Sequence, residues 1–147
     1  MNKKRGLIII LVSSLIAIIV SIYLLYQHYS IKSSFCDITQ DISCDIVNRS
    51  LYSEIFGIPV SLFALITFYI ITVLTIATLR KDKIFNLDEK NILNIIFYLM
   101  IISLVFALYL VYIEAFVLYA VCPLCVLLDI LILIILITII KLRRKIK

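Results

Sequence analysis

Four long apolar runs dominate the chain. Residues 7–26 carry no charge over 20 positions, and residues 58–79 and 92–113 carry none over 22 each. Residues 122–140 hold one charge, Asp129, in 19 positions. A helix that crosses a bilayer needs about 20 mostly apolar residues. The runs are apolar on every side rather than striped, as expected where lipid is the solvent. They are rich in Ile and Val, which favour strands in water, but they are too long for buried strands. The pattern predicts an all-α integral membrane protein. Its core is a four-transmembrane-helix bundle, with spans near residues 7–29, 58–79, 92–113 and 122–140 in a single domain, 1–147. In the loop after the first run, Ile46, Val47, Leu51 and Ile55 recur at roughly helical spacing. They predict a short amphipathic helix lying on the membrane surface. Gly57 is expected to end it and Pro59 to open the second span.

Composition agrees. Of 147 residues, 65% are hydrophobic and 16% charged, against about 25% charged in soluble domains. The net charge of +5 is informative through its distribution. Lys3, Lys4 and Arg5, then Arg80, Lys81, Lys83 and Lys90, then Lys141, Arg143, Arg144, Lys145 and Lys147 fall on one side of a four-span protein. Only Lys32 and Arg49 fall on the other. The positive-inside rule puts both termini in the cytoplasm. The cations then act as orientation signals beside the lipid bilayer, and nucleic-acid binding is not needed to explain them. The basic start resembles a signal peptide, but its apolar stretch exceeds the usual h-region of about 7–15 residues, and no small-x-small site follows. It reads as a retained helix.

Orientation gives the four cysteines a common side. Cys36 and Cys44 lie in the long outer loop, and Cys122 and Cys125 lie where the fourth span begins. The outer face is where disulfides persist. Cys122-Pro123-Leu124-Cys125 places a C-x-x-C at a helix start. There, unpaired backbone N–H groups and the dipole's positive end favour a thiolate, and Pro123 suits the first helical position. Each pair also has a structural reading, as a staple at a helix end or within a loop. Two pairs on one face can instead pass electrons by thiol–disulfide exchange, one mobile and one membrane-embedded. Zinc is disfavoured by the spacing and by the lack of an accompanying His, so no metal is expected. His28, the single histidine, reads as an interfacial residue, and Glu114 as a structural residue at the membrane edge.

In order and spacing these motifs resemble the vitamin K epoxide reductase family in its small prokaryotic form. Cys36-x7-Cys44 comes first, and Ser50 follows six residues after Cys44. Then come Gly57-Ile58-Pro59-Val60 and, later, Glu114 through Cys122-Pro123-Leu124-Cys125. The DsbB family does similar chemistry with four spans but places its C-x-x-C before the shuttle pair. The resemblance implies a helical bundle around a quinone of the ubiquinone, menaquinone or vitamin K type. It implies a disulfide-generating role in the cytoplasmic membrane, with a separate thioredoxin-fold, DsbA-like protein as partner and no fused thioredoxin domain. In that role Cys36 exchanges with the partner, Cys44 passes the exchange to Cys122, and Cys125 engages the quinone. Ser50 matches the family's hydrogen-bonding position near the quinone, although Asn48-Arg49-Ser50 also reads as a glycosylation sequon.

Asp129 departs from the family pattern. It lies four residues after Cys125, about one turn deeper, and an ionisable group at membrane depth is costly and often functional. The functional reading is proton transfer to, or a hydrogen bond with, the quinone. The plain one is a neutral Asp bonded to a Ser or Thr of a neighbouring helix. Two other functions compete with the disulfide-generating one. They are a reductase of a quinone or quinone epoxide, and a non-catalytic membrane protein with structural disulfides.

Overall fold

The computed structural model describes residues 2–80 and 88–146. Lys81, Lys83 and Lys147, expected with the basic group, lie outside the described residues. The elements are α1 (Lys3–Tyr29), α2 (Cys44–Asn48), a 3₁₀ turn (Leu51–Ser53), β1 (Glu54–Ile55), β2 (Ile58–Pro59), α3 (Val60–Arg80), α4 (Glu89–Ile113), one π-helical turn (Glu114–Leu118) and α5 (Pro123–Ile146). Four helices are long and apolar enough to cross a membrane. They follow the expected spans but continue into the basic flanks, since Lys and Arg are good helix formers. At the end of α5, Arg143, Arg144 and Lys145 also complement the helix dipole.

α1 is the centre of the bundle and packs mainly on α3 and α5, while α4 packs on α5. Its buried face carries small residues, Ser13, Ser14, Ala17 and Ser21, which let the helices approach closely. At Gly6 the approach is tight enough that a Cβ would sit 3.0 Å from the Leu142 side chain. Thr72 of α3 donates to Ser14 Oγ at 2.9 Å. Ile10, Ile71, Ile96, Met100, Ile135 and Ile139 fill the interior. The outward surfaces are also apolar, as at Ile19, Ile102 and Val105. α3 and α4 touch each other much less than α1 touches either α3 or α5, and a cavity occupies the space between them.

The loop after α1 departs from the expected surface helix. α2 runs only from Cys44 to Asn48, capped by Ser43 Oγ, which accepts from the Ile46 N–H at 3.2 Å. It stops because the Asn48 carbonyl is taken by side chains. Ser53 Oγ donates to it at 2.6 Å, and His28 Nδ1 approaches it at 2.7 Å. Val47 is buried, but Leu51 is 88% exposed and Ile55 belongs to β1. Gly57 therefore ends no helix. It sits with Phe56 in the two-residue turn between β1 and β2, both at positive φ (77° and 54°), as a type I′ hairpin requires. Pro59 closes β2 directly before α3. His28 is more than interfacial: its ring is buried between Asn48 and Glu54, with Nε2 3.1 Å from Glu54 Oε1.

Candidate redox site at one end of the bundle

All four cysteines meet at one end of the bundle, held there by backbone pairing. Ile42 forms a parallel bridge with Val121. The Val121 N–H donates to Asp41 O at 2.9 Å, and the Ser43 N–H donates to Val121 O at 3.2 Å. Cys44 follows Ile42 by two residues and Cys122 follows Val121 by one, so the bridge sets the two pairs side by side. Asn48 adds a second tether: its Nδ2 donates to Leu24 O of α1 at 2.7 Å. That amide is buried, so the formal sequon offers no accessible asparagine.

Cys36 and Cys44 are disulfide-bonded, with Cα atoms 5.7 Å apart. Both are covered, at 4% and 1% exposure. Cys36 Sγ lies 3.4 Å from Ser34 Oγ, and the Ser34 N–H donates to Asp45 Oδ2 at 3.0 Å. The mobile pair expected from the sequence is thus packed down in this state. Its segment is held by short turn bonds, such as Asp37 N–H to Ser34 O and Ile38 N–H to Ile42 O.

Cys122 and Cys125 are free thiols, the first fully buried and the second half-buried. Pro123 is the first residue of α5, as its ring geometry favours. Cys122 Sγ caps the helix by accepting the Cys125 N–H at 3.3 Å. The Cys122 N–H, an unpaired donor at the helix start, is met by Glu114 Oε2 at 3.2 Å. Glu114 is only 5% exposed, and its carboxylate also reaches the Cys125 side chain. The sequence placed Glu114 at the membrane edge. Its burial follows from the backbone, which widens into the π turn and reverses through Tyr119 in the left-handed region (φ 50°). Nothing in the residue spacing announces that turn.

Cys125 opens onto the cavity between α3 and α4, of about 360 Å³. Phe63, Phe68, Phe106 and Leu110 make its walls apolar, and Ser50, Glu114 and Asp129 are among its few polar groups. Ser50 lines it, but its hydroxyl donates to Val47 O at 2.8 Å and is left with acceptor capacity. Asp129 also lines it and bonds no Ser or Thr among the described residues. Ser61, another wall residue, holds a buried hydroxyl without a hydrogen-bond partner among the described residues. A cavity of this size, apolar with a few convergent polar groups, fits a small flat ring. No group of metal-ligating side chains occurs among the described residues.

A family model for the vitamin K epoxide reductase family matches residues 8–140. The chain belongs to the vitamin K epoxide reductase family. No curated protein matches it in sequence. Family membership makes the protein a membrane oxidoreductase of quinone-linked thiol chemistry.

Proposed function

We propose that the protein is a quinone-dependent oxidoreductase that reoxidises a DsbA-like, thioredoxin-fold partner and so supports disulfide formation outside the cytoplasmic membrane. The bridge between Ile42 and Val121 carries this reading, because it docks the loop pair against the second pair while Cys125 faces the cavity. The partner's thiolate attacks Cys36, the Cys36–Cys44 bond breaks, and the partner's second thiol resolves the mixed disulfide. Two electrons then rest on Cys36 and Cys44. Cys44 attacks Cys122 of the oxidised second pair, Cys125 leaves as a thiolate, and Cys36 resolves the link to regenerate the loop disulfide. A quinone, when bound, supplies a two-electron, two-proton acceptor. Cys125 would face it, Ser61, whose buried hydroxyl is free to donate, would orient a ring carbonyl, Ser50 would join only by releasing Val47 O, and Asp129 would hold a proton at its carboxylate. Burial of Cys122 keeps the exchange away from water, while the loop around Cys36, packed down in this state, opens locally to admit the partner.

The charge pattern supports an orientation with both termini cytoplasmic and all four cysteines on the outer side. Lys3, Lys4, Arg5, Arg80, Lys90, Lys141 and Arg143 gather at the end opposite the cysteines. The test combines purified protein, a DsbA-like dithiol, and ubiquinone or menaquinone, with quinone absorbance followed. Cys122→Ser and Cys125→Ser should each abolish turnover while the bundle stays folded. Turnover in either mutant ends the relay reading. Asp129→Asn should slow quinone reduction with an altered pH profile, and an unchanged profile would remove Asp129 from proton handling.

A further inference from the structure

The end opposite the cysteines carries a second cavity, of about 410 Å³, between the start of α4 and the end of α5. Two facing stripes build it. On α4, Lys90, Leu93, Asn94 and Phe97 recur at i, i+3, i+4 and i+7. On α5, Ile140, Arg143 and Arg144 do the same at i, i+3 and i+4. The cleft is therefore cationic at its mouth and apolar one to two turns deeper. Among the described residues no carboxylate lines it, and none pairs with Lys90, Arg143 or Arg144. Glu89, the nearest acidic neighbour in sequence, is paired with Lys3 instead. Arg143 is half-buried, with its guanidinium 4.1 Å from the Phe97 ring centroid. Stacking fixes the plane and leaves the edge N–H donors for acceptors in that plane.

We propose that this cleft binds the phosphate of an anionic phospholipid. Lys90, Arg143 and Arg144 hold the phosphate, Asn94 offers a neutral hydrogen bond, and Leu93, Phe97 and Ile140 take the start of an acyl chain. Basic pockets between transmembrane helices are suited to such head groups. The apolar floor favours a lipid over a free phosphate, which would leave Leu93 and Phe97 uncovered. Because the cleft joins α4 to α5, an occupant bridges the helix that bears the second cysteine pair to its most lipid-exposed neighbour. The proposal stands whether or not the redox reading holds.

The experiment is native mass spectrometry of the detergent-purified protein, titrated with phosphatidylglycerol, phosphatidylcholine, glycerol phosphate and inorganic phosphate. One phosphatidylglycerol should be retained in preference to phosphatidylcholine, without competition from the soluble phosphates at millimolar concentration. Lys90→Gln and Arg144→Gln should each weaken retention about fivefold. Lys141→Gln, an exposed cation outside the cleft, should change it less than twofold. Phe97→Leu, which keeps bulk but removes the stack, should weaken it as well, and circular dichroism checks that each variant keeps its helix content. Equal losses in Lys141→Gln and Arg144→Gln would reduce the effect to diffuse charge and overturn the site. Full displacement by inorganic phosphate would overturn the lipid assignment.

Discussion

Glu114→Ala offers the sharpest local perturbation. In the native protein Glu114 Oε2 accepts the Cys122 N–H at 3.2 Å in a fully buried setting. That N–H belongs to the first turn of α5 and has no helical acceptor. Truncation leaves it unsatisfied, which costs about 2 kcal/mol for a buried donor. The cost falls on the start of α5 rather than on the whole bundle, because α5 remains packed on α1 and α4. The population in which the Cys122 segment opens should rise about 30-fold, since about 1.4 kcal/mol is a factor of ten. The assay is maleimide labelling of the protein with its first disulfide intact, with rates read separately at each cysteine by peptide mass spectrometry. Cys122 should label about 30-fold faster in Glu114→Ala, while Cys125, which loses only its contact with the Glu114 carboxylate, should rise by much less. Glu114→Gln keeps a side-chain oxygen and should recover most of the protection. Unchanged labelling of Cys122 in Glu114→Ala would refute the reasoning. So would a parallel rise at both cysteines, which would mean that the whole end had opened.

Asn48→Ala removes the bond to Leu24 O and should destabilise the loop's attachment to α1 by about 1–3 kcal/mol, seen as faster amide exchange across residues 44–53. Gly57→Ala meets no steric obstacle but requires an alanine at φ 77°. It should cost about 1 kcal/mol, and Gly57→Asn should cost less, as thermal midpoints in detergent will report. Thr72→Val breaks the bond to Ser14 yet keeps the volume. It should cost only about 0.6 kcal/mol, the usual worth of an interhelical hydrogen bond in a membrane protein, and a loss of several kcal/mol would show that Thr72 does more.

The spans were legible because membrane solvation imposes a length and a composition that few other structures share. Cys122, Pro123 and Cys125 were legible for a similar reason: helix starts have a fixed set of unpaired donors, and the residues that suit them stand out. The loop between α1 and α3 was not. Ile46, Val47, Leu51 and Ile55 have helical spacing, but the Asn48 carbonyl is claimed by Ser53, five residues on, and by His28 at the end of α1. Tertiary hydrogen bonds outweighed the local pattern there. Gly57 serves a helix end and a positive-φ turn equally well, so its place in the sequence does not choose between them. The sequence places Glu114 at the membrane edge but not in the interior, because its burial depends on the π turn after α4, a backbone event without a residue signature. Ser61 was missed because a lone serine in an apolar span has no distinguishing neighbour.

The central place of α1 has a consequence for biosynthesis. α1 leaves the ribosome well before α5, on which Gly6 packs through Leu142. Until α5 enters the membrane, the small-residue face of α1 is only partly covered, by α3. Cys36 and Cys44, 8 residues apart, both lie in the segment between α1 and α3 and emerge early. Their dock at Val121 arrives much later. A chain stalled before Val121 therefore holds Cys36 and Cys44 with neither their dock nor the α5 surface on which α1 packs.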